Sequence, residues 1–172
     1  MSRKGLIAMV GSLLILAAPA YAHLAVIPAE AARGTVADLS FRVPNERDDA
    51  GTTKVEVFLP RDHPLAVVEV KPKDGWTGSV EKAPLAAPLP GGRGGTVTEV
   101  VTKITWEGGP ISPKGTELFG VSAGPLPSDT DRLFFKATQT YASGEVGTPW
   151  VLGGIAIGGL IAGGWLGLRR RR

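Results

Sequence analysis

His23 stands directly after Ala20-Tyr21-Ala22 in a chain of 172 residues that holds only two histidines. The Ala-Tyr-Ala is a small-x-small cleavage signal, and processing after Ala22 makes His23 the first residue of the mature protein. A terminal histidine carries a free α-amine beside its imidazole. The amine and Nδ1 can close a chelate on one metal ion. The amine has a pKa near ~7.7–8.0, so a metal displaces its proton easily at neutral pH. Two nitrogens at right angles suit Cu(II), which favours tetragonal N,O geometry and tops the divalent affinity order. A full histidine brace needs a second histidine, and only His63 in "PRDHP" is available. The residues therefore point to a one-histidine site completed by oxygen ligands. The alternative is an ordinary exposed N-terminal residue, and the residue types alone leave both open.

The ends of the chain set the topology. Residues 1–22 read as a secretory signal, with Arg3 and Lys4 as the basic start and Leu6 to Ala18 as the apolar stretch. Residues 150–168, "WVLGGIAIGGLIAGGWLGL", carry no charge. As a helix they would rise roughly 28 Å, about one hydrocarbon core. Arg169 to Arg172 follow, and by the positive-inside rule they stay cytoplasmic. The expected domains are thus a signal peptide (1–22), an extracytoplasmic domain (23–149), a single transmembrane helix (150–168) and a basic cytoplasmic tail (169–172). This places the protein in the cell membrane, with its domain outside the cytoplasm.

The six basic residues at the two ends leave 13 of the 19 Lys and Arg in residues 23–149. All 16 acidic residues lie there too, a net charge of −3. The basic pI of the whole chain therefore reflects its ends, and nothing points to a nucleic-acid partner. There is no cysteine. An exported domain of this kind must rely on a core for its stability.

Between His23 and Thr148 the signals are all for strands. Thr35–Val43, Thr53–Leu59, Ala66–Lys71, Thr96–Trp106, Thr116–Ala123 and Arg132–Tyr141 alternate or are rich in β-branched and aromatic residues. Pro and Gly punctuate the gaps. The expected fold is all-β, an antiparallel β-sandwich of immunoglobulin- or cupredoxin-like kind, followed by the one C-terminal transmembrane helix. "APLAAPLPGGRGG" (Ala83–Gly95) reads as a long exposed loop.

The stretch "AHLAVIPAEAARGTVADLSFRVPNERDDAGTTKVEVFLP", then "GW" at Gly75–Trp76, "ITWEGGPISPKGTELF" and "LFFKATQTYASGEV" resembles the YcnI-like copper-binding family in order from His23 to Val146. The resemblance implies an exported β-sandwich with a C-terminal membrane helix that binds Cu(II) through a single-histidine brace. It implies His23 as the histidine, Glu46 of "VPNE" as the glutamate, and Trp150 as the nearby tryptophan. Here Trp150 comes one residue later than the family pattern and abuts the apolar run, so it reads equally as an interfacial anchor. Trp76 and Trp106 read as core or loop aromatics.

The function implied is a membrane-tethered Cu(II) scavenger or chaperone in copper homeostasis, passing its ion to a copper-transport membrane protein, and not an enzyme. Two alternatives stand beside it. One is a metal-free, surface-anchored protein-contact module. The other is an oxidative copper enzyme, which would need His63 as a second nitrogen ligand; Asp62 and Pro64 explain His63 as a turn residue instead. A soft Cu(I) site would want Cys or Met, and both methionines, Met1 and Met9, leave with the signal.

Overall fold

The computed structural model describes residues 25–91, 94–147 and 150–158. His23, the signal segment and the arginine tail lie outside them. Among the described residues ten strands are formed: β1 Ala25–Ile27, β2 Glu30–Ala32, β3 Ala37–Pro44, β4 Thr52–Phe58, β5 Val67–Val70, β6 Trp76–Pro90, β7 Thr96–Ile111, β8 Thr116–Gly124, β9 Arg132–Tyr141 and β10 Trp150–Gly158. They make two facing sheets, a four-stranded one in the order β1-β3-β8-β5 and a six-stranded one in the order β2-β10-β9-β4-β7-β6.

Period-two patterning explains which side faces in. Along β3, Leu39, Phe41 and Val43 are buried; along β9, Leu133, Phe135, Ala137, Gln139 and Tyr141 are. Val55, Val57, Ile104, Trp106, Phe119 and Val121 complete the layer from β4, β7 and β8. The rings meet edge to face, Phe41 with Phe135 at 5.3 Å between centroids and Trp76 with Phe119 at 4.9 Å. Each such side chain stabilises the fold by about 1.5–3 kcal/mol through burial, with a smaller gain from ring geometry. Trp106 is a core residue and Trp76 a half-buried one beside it.

The structure differs from the sequence-based expectation chiefly at two places. Residues 83–90, expected in a loop, belong to β6. Its prolines are tolerated because β6 pairs only with β7, at the edge of the sheet, where an amide donor is dispensable on the solvent side. The ladder registers their presence as a shift between Pro84 and Leu89.

The second difference concerns residues 150–158, expected as the first half of a membrane helix. They form β10, antiparallel to β9 and parallel to β2, so the six-stranded sheet is not purely antiparallel. Ile155 and Ile157 alternate onto the core. The Gly153-Gly154 pair, poor in a helix interior, sits where the β9 ladder shifts register between Leu152 and Ile155. No helix among the described residues is long and apolar enough to cross a membrane. The remainder of the expected helix, 159–168, lies outside the described residues.

Candidate metal centre

One end of the sandwich gathers the β3–β4 loop, the β7–β8 turn and the β9–β10 loop. Asn45 leaves β3 there and turns inward, 7% exposed. Its Nδ2 donates to the carbonyls of Ala50 at 2.9 Å and Ile111 at 2.8 Å. Its Oδ1 accepts the Arg47 amide at 2.8 Å, an Asx turn. That turn presents Glu46 at the surface.

Arg47 then clamps the loop from outside. Its guanidinium pairs with Asp49 at 2.8 Å and reaches across to Glu145 at 2.5 Å, lying 5.6 Å from the centre of the Tyr141 ring. Asp49 is held below the usual carboxylate range by Arg47. The β9–β10 loop reverses at Gly144, whose φ of +83° suits glycine, with the Gly144 amide on the Tyr141 carbonyl at 2.8 Å. Among the described residues these ion pairs engage Arg47, Asp49 and Glu145, and none engages Glu46.

Glu46 nevertheless makes itself felt. Burial pushes the Tyr141 phenol up, the Glu46 carboxylate adds to the rise, and Arg47 opposes it. Below Tyr141 lies a buried polar layer: the Thr52 hydroxyl donates to Gln139 Oε1 at 2.9 Å. Thr52 is opposite both Tyr141 and Ile111 in the ladders, so it joins Asn45's partner to the Tyr141 edge.

β1 runs antiparallel to β3, with Ala25 opposite Arg42, so the chain enters β1 from the Pro44 side. That is the end carrying Glu46. The backbone of Trp150 opens β10 opposite Ala137, four residues along β9 from Tyr141.

His63 is elsewhere. It sits between β4 and β5, its Nδ1 3.4 Å from Asp129 in the β8–β9 loop. Both loops are at the far end of the sheets, and the six residue steps of β4 alone separate the ends by about 20 Å. The structure therefore does not bring His63 to Glu46.

Among the described residues no three His, Asp or Glu side chains converge as a metal cluster. What this end offers, among those residues, is one carboxylate without an ion-pair partner, on a braced loop, above buried polar side chains. That fits a site whose nitrogen ligands come from a chain terminus. Asn45 and Gln139 were not singled out in the sequence. An Asx-turn signal after Pro44, and a polar residue at an inward position of β9, are the marks that reveal them.

The family described as a domain of unknown function, DUF1775, matches residues 23–151. The chain belongs to this family. The copper-binding protein CutI of Bacillus subtilis (strain 168) is 41% identical over 75 residues, 44% of this chain and 35% of that protein. The chain thus matches about a third of that relative's length. An uncharacterised protein from Nocardia farcinica with an immunoglobulin-like fold superposes with a TM-score of 0.58 at 32% identity. That match covers 74% of this chain and 83% of the other. The DUF1775 unit begins at residue 23, the histidine, and stops at residue 151, just as β10 starts.

Proposed function

We propose that this DUF1775 domain is an extracytoplasmic Cu(II)-binding protein that scavenges copper and hands it on, with the ion as cargo. The observation that carries the reading is Glu46: exposed, free of ion pairs among the described residues, and held by Asn45 at the end where β1 begins. Two residue steps join His23 to Ala25, a reach of at most about 7 Å. The similarity to CutI supports copper as the ion.

In this reading the His23 α-amine and imidazole supply two nitrogens and Glu46 an oxygen. The carboxylate also offsets the charge of the ion. Trp150 is assigned to shield the site. With no Cys or Met ligand in the mature chain, Cu(II) is the form held, and reduction to Cu(I) favours release to a transport protein. With ascorbate as the reductant and a Cu(I) chelator as acceptor, loss of copper from the protein, measured as metal retained after desalting, is the expected result; undiminished retention contradicts it.

The reading includes attachment to the cell membrane through residues 150–168. The family match ends at residue 151, so β10 is largely outside the family unit. Membrane insertion requires β10 to leave the sheet, because residues 159–168 alone would rise only about 15 Å as a helix. Carbonate extraction of membranes tests this. Retention of the full chain, with release of a chain ending at Pro149, supports attachment; release of both refutes it.

The copper assignment is tested by titrating processed protein with Cu(II) and recording EPR spectra for wild type and Glu46→Gln. One nitrogen-coupled site, weakened or altered in Glu46→Gln, is expected. Identical spectra remove Glu46 from the site.

A further inference from the structure

Among the described residues the buried polar side chains are Asn45, Thr52 and Gln139, and all three lie at the end that displays Glu46. Asn45 is fully engaged, its nitrogen on two carbonyls and its oxygen on an amide. Gln139 is not. It is 1% exposed, its Oε1 takes the Thr52 hydroxyl, and its Nε2 has no partner among the described residues. A hydroxyl pairs with either end of a carboxamide, so reversing the amide leaves the other end orphaned instead.

An orphaned amide in the core is costly, and Val and Leu in place of the Thr52–Gln139 pair would remove the cost. Leu133, Phe135 and Ala137 occupy the equivalent inward positions of the same strand. The polar choice at 139 is therefore made against stability. It is made one inward step from Tyr141, whose ring lies 5.6 Å from the Arg47 guanidinium that clamps the Glu46 loop. The Gln139 backbone is also used: its carbonyl takes the Gly147 amide at 2.8 Å and ties down the β9–β10 loop.

We propose that Gln139 is a positioning residue of the metal centre, its free carboxamide end hydrogen-bonding an oxygen of the ligand set, the Glu46 carboxylate or a metal-bound water, when copper is held. Thr52 fixes the amide so that this end is presented. The inference rests on the copper reading above. Outer hydrogen bonds of this kind set ligand orientation, and their loss weakens metal affinity by about ten- to a hundredfold.

The test is Gln139→Leu in the processed protein, with three readouts: thermal unfolding of the metal-free form, Cu(II) affinity by competition, and the EPR spectrum. The expected result is a metal-free form that still unfolds cooperatively, copper affinity lower by about tenfold or more, and altered hyperfine splitting. Thr52→Val, which keeps the shape and removes the hydroxyl, should move affinity and spectrum in the same direction, and stands in if the leucine variant does not fold. Wild-type affinity and spectrum in the folded variants overturn the proposal and leave Gln139 a buried cost. Absence of any copper site in the wild type overturns the copper reading itself, and the inference with it.

Discussion

Replacing Asn45 with alanine removes the peg that holds the Glu46 loop. Three hydrogen bonds go with it: to the carbonyls of Ala50 and Ile111, and from the amide of Arg47. Asn45 is 7% exposed, so water does not freely replace them. At about 1 kcal/mol each, the loss is about 3 kcal/mol. For a domain of this size that lowers the melting temperature by roughly 9–15 °C. Thermal unfolding followed by circular dichroism reads it directly. Copper affinity should fall as well, because the turn that projects Glu46 is no longer fixed. A melting temperature within about 3 °C of wild type, which is under 1 kcal/mol, would refute the claim that Asn45 organises this end.

Three other outcomes are expected. Burial pushes the Glu56 carboxyl up, but its hydrogen bond and charge pairing with Lys103, aided by the Thr138 hydroxyl, outweigh that and leave its pKa below the ordinary value. A depressed carboxylate stabilises above its unfolded pKa, about 4.3, and loses this contribution as pH falls through the lower folded value. Stability measured by urea unfolding should therefore drop below about pH 4 in wild type and drop less in Glu56→Gln; parallel curves contradict the assignment. Gly108 has φ +141°, and a Cβ there would stand 2.2 Å from the Gly75 carbonyl oxygen. Gly108→Ala should cost about 3 kcal/mol or more and shift the fluorescence of neighbouring Trp76, while an unchanged melting curve would show that the β6–β7 crossing is slack. His63→Ala, at the far end of the sheets, should leave the Cu(II) spectrum intact, and loss of the spectrum would revive the two-histidine oxidative reading.

Much of the sandwich was legible because its central strands obey one period. The expected Arg132–Tyr141 is β9 as observed, and Thr116–Ala123 is one residue short of β8. The differences have physical reasons. Pro84, Pro88 and Pro90 read as loop residues, yet an edge strand has no partner needing their amides. Residues 150–158 read as a membrane helix from hydropathy, since a strand buried against neighbours and a lipid-facing helix share the same apolar composition. The three-residue β1 and β2 are too short to show a period.

Less of the candidate site was legible. Glu46 came from a resemblance, and its neighbours Arg47, Asp48 and Asp49 make it look like any solvated loop acid. What separates it is three-dimensional: Arg47 turns to Asp49 and Glu145, and leaves Glu46 without an ion pair among the described residues. Contacts 98 residues apart in the chain, such as Arg47 to Glu145, leave no local trace in the sequence.

The most direct test of the central claim is the Cu(II) EPR titration of two processed proteins. One begins at His23, confirmed by mass spectrometry; the other carries a single alanine before it. The extra residue moves the α-amine away from the imidazole and leaves the sandwich intact. One nitrogen-coupled site in the first protein, lost or altered in the second, is the expected result. Equal binding by both would place the ligands away from the chain terminus and contradict the proposed centre.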